Sequence, residues 1–424
     1  MPTPPRSELL QDPSVRWMMG GALISNLGDQ FTLIALPWLV LTTTGDALKM
    51  GLIIALSSIP RALFILIGGA MVDRYSPKTV LMLTKHVNTV LLGLLAGLVY
   101  LGQASLPVIG ALALGIGLAS AFSVPSGTSM LPHVVKPQLL QQANGMMMGL
   151  RQLALLAGPL LTGLLLAVFG DAGAGAPGGA RGLAFAFGFD CISFALSAWT
   201  LSRVKMLAAP APQGAHAGVL AAVKAGMAAI WSDAALRALM LYWAVCAFVA
   251  GGIMQVALPV LAEARLHGGA SLGLLLGANG AGMLLGMVLS GVLGKLRVRT
   301  LGTTLLLVDG LLGLTLGPIG LVNATWQAVM LMLPAGVLAG FMQVAVFSWI
   351  QQRVPRAMLG RAMSIFMFIF MGMAPLAAGV AGLLLKWVAV HELFAAGGVF
   401  LVLAALTGYL ATPIRDVQDA PIAH

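Results

Sequence analysis

The sequence predicts an all-α membrane protein in which twelve transmembrane helices form two pseudo-symmetric six-helix bundles. Of its 424 residues, 59% are hydrophobic and 8% carry a charge, and the mean hydropathy is +0.98. Soluble domains are about one quarter charged. Apolar runs of about 20 residues, the length that crosses a bilayer, recur along the chain. These runs are continuous rather than alternating, which favours helices over the strands of a barrel.

Short polar connections set the limits of each span to within a few residues. The predicted spans are 17–41, 50–72, 80–101, 106–125, 143–169, 183–201, 236–261, 271–293, 301–322, 326–350, 362–386 and 393–411. One long hydrophilic connection, rich in Ala, Pro and Gly at its start, separates six spans from six. We therefore expect an N-terminal bundle (1–202), a cytoplasmic linker (203–234) and a C-terminal bundle (235–424).

The two predicted bundles carry matching sequence at a nearly constant offset. Ala-Leu-Pro at 35–37 returns at 257–259, and Gly69 with Asp73 returns as Gly291 with Lys295 at the same offset. Two related halves are how many transporters achieve alternating access. The repeat therefore favours a transporter.

Lys and Arg are distributed unevenly over the connections. Most of the 23 lie in connections on the same side of the membrane as the N-terminus. Because cytoplasmic loops carry the excess of basic residues, both termini are predicted to be cytoplasmic, in an inner (plasma) membrane protein. The same loops account for the net charge of +10, so no nucleic-acid partner is expected. The N-terminal segment is polar, and no removable signal peptide is expected.

A charged cluster lies between the second and third spans, and its members are Gly69, Asp73, Arg74 and Lys78. This run resembles the loop signature of the major facilitator superfamily, and the resemblance implies a transporter with twelve helices. An Asp at a helix start can accept backbone N–H groups and attract a neighbouring Arg. In that family the cluster latches the two halves, which implies Arg356 and Arg361 as the opposing side of a gate. A helix cap combined with topology charge is the alternative.

A second motif, Gly158-Pro159 followed by Gly163, resembles the Gly-Pro motif of antiporters and drug exporters in this superfamily. Asn-Leu-Gly-Asp at 26–29 is similar to the branch that holds macrolide-efflux and enterobactin-exporter proteins. The fourth span lacks the buried Arg that many drug/proton antiporters carry there. The resemblance therefore implies export, but not that coupling route.

Asp29 is the strongest ionisable candidate inside a span. It lies about 13 residues beyond Arg16, roughly 20 Å along a helix and so near the bilayer midplane. A charge at that depth usually faces a cavity or a partner. Asn26 and Gln30 share its helix face. Proton coupling or substrate contact is one interpretation of Asp29, and a fixed ion pair is the other.

Arg61 and Arg151 lie at a similar depth, and each is a candidate partner for Asp29 or for an anionic substrate group. Gln152 adds a donor and an acceptor. Asp190 and Asp309 are expected to be structural, because the resemblance places the sixth and ninth helices at the periphery of the bundles. Lys85 and His86 are closer to the cytoplasmic surface, which their side chains can reach by snorkelling.

Flexible and aromatic side chains are concentrated in the tenth and eleventh spans. Candidates for the lining of a substrate cavity are Gln343, Phe347, Met363, Phe366, Met367 and Phe370. Met-rich walls suit variable apolar ligands, although ordinary helix packing explains any single Met equally well.

These observations predict a proton-coupled exporter, an antiporter of small amphipathic compounds such as drugs. A siderophore or lysophospholipid exporter, an uptake symporter and a polytopic membrane enzyme acting on lipid are the alternatives. No ATP-binding signature is found, so an ion gradient is the expected energy source, with protons implied by the resemblance. The expected partners are a small-molecule substrate, protons and the bilayer, and the protein is expected to be a monomer. No cofactor and no metal site are expected, because the histidines are scattered without ligand-like spacing.

Overall fold

The computed structural model describes residues 6–74, 76–169, 181–207, 227, 231–266, 268–292, 298–354, 366 and 372–418. Within these ranges the chain is helical almost throughout, which confirms the predicted all-α class. The chain divides into two compact units. Unit 1 comprises Met1–Gly45 and Leu56–Ala215, and unit 2 comprises Asp46–Ala55 and His216–His424.

The described part of unit 1 contains seven α-helices. They are α1 (Arg6–Gln11), α2 (Pro13–Thr44), α3 (Ala47–Arg74), α4 (Pro77–Tyr100), α5 (Leu106–Met130), α6 (Leu140–Phe169) and α7 (Arg181–Ser202). The first turns of α3 belong to unit 2. Helix α7 packs against both α2 and α4, and α6 also packs against α2. This arrangement brings polar residues of α2, α4 and α7 to one place.

The described part of unit 2 also contains seven α-helices. They are α8 (Ala234–Gly252), α9 (Leu258–Arg265), α10 (Gly269–Val292), α11 (Leu301–Ile319), α12 (Thr325–Arg353), α13 (Gly372–Leu384) and α14 (Val390–Ala411). Helix α10 packs against α12, and α11 packs against α14. Leu239, Val346, Trp349 and Ile350 are among the residues of a buried apolar cluster in this unit.

Ten helical segments of the described part are long and apolar enough to cross a membrane, with α8 and α9 counted as one. They coincide with ten of the twelve predicted spans. Predicted span 50–72 lies within α3, and 362–386 is described at Phe366 and over α13. Large apolar side chains such as Leu33, Val90 and Leu314 are exposed along these helices, as expected for surface that contacts lipid.

A π-helical turn, Ile253–Ala257, joins α8 to α9 without a break. Pro259 follows it, and a proline ring in a helix clashes with the carbonyl four residues earlier. The wider π-helical turn gives that ring room. The repeat-related Pro37 lies inside the uninterrupted helix α2, so the two related prolines are accommodated differently.

In each unit the chain that follows the last helix is bound to the start of another helix. Lys78, at the start of α4, donates to the carbonyl of Ser202 (3.3 Å), the last residue of α7, and to that of Val204 (2.6 Å), which follows it. In unit 2, the N–H of Gly302 in α11 donates to the carbonyl of Val417 at 3.0 Å. The charge of Lys78 therefore satisfies carbonyls at a helix C-terminus inside unit 1.

Asp233 caps α8 and binds α12. Its carboxylate accepts from the N–H of Ala235 (2.9 Å) and Leu236 (3.2 Å) and from Nε of Arg353 (2.8 Å). Burial opposes ionisation, but the hydrogen bonds from Arg353 and from the two N–H groups outweigh it. They hold the pKa of Asp233 below its ordinary value of 3.8.

Asp233→Ala is expected to lower the stability of the protein by about 1 kcal/mol at neutral pH, because the cap and the ion pair are both lost. Since the folded-state pKa is lowered, the contribution of Asp233 is complete above its ordinary pKa and is lost as the pH falls through the lowered one. The difference between the two proteins should thus stay constant from pH 7 to about 5 and shrink below about 4. Thermal unfolding midpoints in detergent, measured over a pH series, check this.

Asp416→Ala is the matched control, because Asp416 pairs with Arg415 at an exposed position, 3.4 Å apart. Exposed pairs contribute little. An Asp233→Ala midpoint that matches the Asp416→Ala midpoint at pH 7 would contradict the capping role.

Candidate functional site

Asp29 lies on α2 as an exposed residue within the field of three cationic side chains of unit 1. Lys85 of α4 has the strongest Coulombic interaction with it, followed by Arg61 of α3 and Arg151 of α6. Both arginines were candidate partners of Asp29, and each interacts with it electrostatically, although less strongly than Lys85. Lys85, which interacts most strongly, was not predicted as a partner.

Lys85 is buried, with 7% of the residue exposed, and its ammonium lies 4.5 Å from the centre of the Phe194 ring. Its Coulombic partners are Asp29 and, more weakly, Asp190. The expectation that Lys85 snorkels to the surface is wrong. Its position on α4 turns it toward α7, where an aromatic face and carboxylates replace water around the charge.

Asp190 of α7 is 1% exposed and is held by hydroxyl groups. Oγ1 of Thr32 donates to it at 2.5 Å, and Oγ of Ser193 donates at 3.1 Å. Thr32 lies one helical turn after Asp29 on α2. At Gly28, on the same face, an added Cβ would lie 2.3 Å from Oδ1 of Asp190. The carboxyl group of Asp190 therefore lies directly against the part of α2 that carries Asp29.

Asn88 lies one turn beyond Lys85 on α4 and is 0% exposed. Within the described residues, neither its Nδ2 nor its Oδ1 has a hydrogen-bond partner. A buried amide without partners is unusual, because leaving it unsatisfied costs about 1–3 kcal/mol. This polar centre thus combines charged, hydroxyl and amide groups from three helices.

The other predicted polar residues of this region are less buried than Lys85, Asn88 and Asp190. Asn26, Gln30 and Gln152 are half-buried, and Arg151 is exposed. Gln30 is in contact with α6, because a Cβ added at Gly158 would lie 2.4 Å from the Cβ of Gln30.

The Gly-Pro motif lies inside α6, where Gly158, Pro159 and Gly163 are all buried. Oγ1 of Thr162 donates to the carbonyl of Gly158 at 2.8 Å. Gly158 of the motif therefore lies where α6 meets α2, against Gln30, the residue that follows Asp29.

Only part of the predicted gate can be described. Gly69, Asp73 and Arg74 belong to the last turns of α3, and their side chains lie outside the described part. Arg356 and Arg361 also lie outside the described residues. Lys78 contacts the end of α7, as given above. The gate as a whole stays a prediction.

The predicted cavity lining is described at three of its six positions. Phe366 is 3% exposed and packs against Trp243 (ring centres 5.2 Å apart) and Phe347 (6.2 Å). It therefore belongs to the apolar core of unit 2. Gln343 is half-buried, and its buried Oε1 has no hydrogen-bond partner among the described residues. Met363, Met367 and Phe370 lie outside the described residues.

Asp309 of α11 is a buried carboxyl group of unit 2, with 2% exposed. It accepts hydrogen bonds from the hydroxyl of Tyr242 and, at 3.1 Å, from the thiol of Cys246. Both donors lie one turn apart on α8. Their contact with Asp309 joins α8 to α11, in line with the structural role expected for Asp309. Over the described residues, no group of three His, Cys, Asp or Glu side chains could hold a metal ion.

A sequence profile of the Major Facilitator Superfamily matches residues 18–378 of the chain. The chain belongs to the major facilitator superfamily. It is similar to the multidrug efflux pump Tap of Mycolicibacterium fortuitum, with 24% identity over 409 residues, 94% of this chain and 96% of Tap. It is also similar to the enterobactin exporter EntS of Escherichia coli O127:H6, with 24% identity over 77% of this chain and 74% of EntS.

Solved structures agree on the fold of this major facilitator superfamily transporter. An auto-inhibited peptide transporter of the POT family superposes with a TM-score of 0.73 at 12% identity, covering 94% of this chain and 96% of that one. The predicted fold class is confirmed. In this superfamily member, unit 1 carries two carboxyl groups, Asp29 and Asp190, and three cationic side chains that interact electrostatically with one or both of them.

Proposed function

We propose that this transporter is a proton-coupled exporter, an antiporter that moves small amphipathic compounds out of the cytoplasm across the inner membrane, with both termini cytoplasmic. The proposal is supported most by one observation: Asp29, an exposed carboxyl group inside a predicted span, interacts with Lys85, Arg61 and Arg151. The names of the relatives Tap and EntS support export as the direction.

Asp29 can couple a proton to transport because protonation changes the balance of charge around it. While Asp29 is ionised, it offsets part of the repulsion among the three cations. When it takes up a proton, that attraction is lost and the cations repel one another more strongly. A substrate that changes this balance therefore changes proton affinity, and by reciprocity the proton changes substrate affinity.

The same excess of positive charge favours a second candidate substrate class. Three cationic side chains interact with Asp29 in unit 1, and one of them, Lys85, also interacts with Asp190, so the cations outnumber the carboxyl groups. An anionic compound, such as a catecholate siderophore, would be attracted by this excess. The similarity to an enterobactin exporter supports this candidate.

Purified protein in proteoliposomes with an imposed pH gradient tests the proposal. Cationic dyes, macrolides, catecholate siderophores and lysolipids are added in turn while proton movement is recorded. We expect at least one class to trigger proton movement, and we expect Asp29→Asn to abolish it because an amide does not exchange a proton at neutral pH.

Asp309→Asn is the matched control, since Asp309 is a buried carboxyl group held by neutral donors in unit 2. It should retain substrate-triggered proton movement. Undiminished proton movement in Asp29→Asn, with both variants inserted and folded, would rule out Asp29 as the coupling residue. No proton movement with any compound in the wild type would argue against proton-coupled export of these substrates.

A further inference from the structure

We propose that the proton-binding site of unit 1 is a pair of carboxyl groups, Asp29 and Asp190, which share Lys85 as their counter-ion. The inference rests on the proposed function and deepens it, because it assigns the proton to two residues rather than to Asp29 alone. Asp190 changes from a structural residue, as the sequence suggested, to a member of the site.

The two carboxyl groups differ in how far the protein itself covers them. Asp29 is exposed, whereas Asp190 is 1% exposed. They nevertheless interact electrostatically with each other and with the same lysine. Thr32 connects them structurally, since it follows Asp29 by one turn and donates to Asp190 at 2.5 Å. An exposed and an enclosed acceptor, coupled in this way, form an entry point and a storage point for one proton.

Lys85 is placed to serve both carboxyl groups. In the described part of the chain it has no carboxylate oxygen within the 4.0 Å of a salt bridge, and its ammonium rests on the ring of Phe194. A lysine locked in a salt bridge would belong to one carboxylate. Lys85 instead interacts with Asp29 first and with Asp190 second, so the charge state of either one changes its balance.

The charged and titratable neighbours of the pair determine how protonation changes the electrostatic interactions at the site. The titratable and charged groups that face it are Arg61 of α3, Lys85 of α4, Arg151 of α6 and the thiol of Cys191 next to Asp190 on α7. With both carboxyl groups ionised, Lys85 is attracted to two anions. A proton enters at the exposed Asp29 and passes to Asp190, which becomes a neutral acid while Asp29 returns to the carboxylate. Lys85 then has one anionic partner, Asp29.

Asn88 supports this assignment independently. It lies on the same face of α4 as Lys85, fully buried, with an amide donor and acceptor that have no partner among the described residues. Such a group needs an explanation, and a side chain, water or substrate that binds the amide in another state of the transport cycle would supply one. Purely structural polar groups are normally satisfied, as Asp309 is by Tyr242 and Cys246.

Infrared difference spectroscopy of the full-length protein in detergent, recorded over a pH titration, tests the proposal without any substrate. The signal is the C=O stretch of protonated carboxyl groups. We expect Asp190→Asn to remove part of this signal and to move the midpoint of the remaining Asp29 component by about one pH unit or more, because coupled groups titrate as a pair. Asp29→Asn should in turn move the Asp190 component. Asp309→Asn should leave both components in place.

Lys85→Met keeps the length of the side chain but removes its charge. We expect it to increase the protonated fraction of both components at a given pH, because a cation no longer favours the carboxylates. Asp190→Glu retains a carboxyl group and shows whether loss of signal in Asp190→Asn reflects titration rather than misfolding.

An Asp29 component that is unchanged in both Asp190→Asn and Lys85→Met would overturn the shared site. This result is separate from the transport assay: proton flux could fail with every tested compound while the coupled titration is present, or the reverse.

Discussion

Gly286→Ala is expected to destabilise unit 2 strongly, although alanine favours helices more than glycine does. A Cβ at this position of α10 would lie 2.0 Å from the carbonyl oxygen of Val337 in α12. The clash is with backbone, so no side-chain rotation relieves it and the two helices must move apart. Overpacking costs about 1–3 kcal/mol and occasionally more, and a clash with fixed backbone belongs at the upper end of that range, so it exceeds the gain of about 1 kcal/mol in helix propensity.

The contact around Gly286 is reciprocal, which is why we expect a large effect. An added Cβ at Gly282 would lie 2.2 Å from the carbonyl of Leu333, and at Gly340 it would lie 2.1 Å from the carbonyl of Met283. Both helices thus present small residues four apart to each other, the spacing that lets membrane helices approach closely. Because the helices are rigid, replacing one glycine is expected to move them apart and to weaken their backbone contacts at the other glycines as well.

Thermal unfolding midpoints in detergent and the monodisperse fraction after purification measure this effect. Gly291→Ala is the control on the same helix, because an added Cβ there has no atom within 4 Å. It should match the wild type or exceed it slightly. A Gly286→Ala midpoint equal to that of Gly291→Ala would show that α10 and α12 are not in such close contact.

The helical class was predictable because a membrane-spanning helix needs a run of about 20 apolar residues, which is visible in the sequence. Ten predicted spans coincide with described helices that are long and apolar enough to cross a membrane. The GxxxG spacings at 282–286 and 336–340 are typical of close helix approach, but such a spacing does not identify the partner helix, so the pairing of α10 with α12 is seen only in the structure. The π-helical turn before Pro259 was not predicted. The same Ala-Leu-Pro sequence lies in the uninterrupted α2 of unit 1, so the difference comes from tertiary packing rather than from local sequence.

The polar centre of unit 1 was only partly predictable. Counting residues from the loops gives the depth of a side chain in the membrane but not its direction around the helix. Lys85 was therefore assigned to the surface, whereas it is directed toward Phe194 of α7. A sequence signal was present: the pairs Asp29 with Thr32, Lys85 with Asn88 and Asp190 with Ser193 each repeat polar residues at i and i+3. Three apolar helices that each carry such a pair indicate a shared polar interface.

Gly158→Ala is expected to disturb both the stability of unit 1 and the surroundings of Asp29. The added Cβ would lie 2.4 Å from the Cβ of Gln30 and 2.5 Å from its Cγ. Because a Cβ is fixed to the backbone, rotation of Gln30 cannot remove the first contact, and α6 must move away from α2. We expect a loss of about 1–3 kcal/mol in stability. We also expect slower substrate-triggered proton movement, since Gln30 is adjacent to Asp29.

Gly145→Ala is the control on α6, because an added Cβ there has no atom within 4 Å. The double variant Gly158→Ala/Gln30→Gly sharpens the test, since it removes the clashing Cβ from α2. Glycine inside a helix costs about 0.5–1 kcal/mol, so Gln30→Gly alone should be destabilising. In the double variant the fall in the unfolding midpoint should be smaller than the sum of the falls in the two single variants, because the clash is absent. Strict additivity would mean that Gly158 and Gln30 do not meet. The Gly-Pro motif would then need an explanation other than close packing of α6 on the helix that carries Asp29.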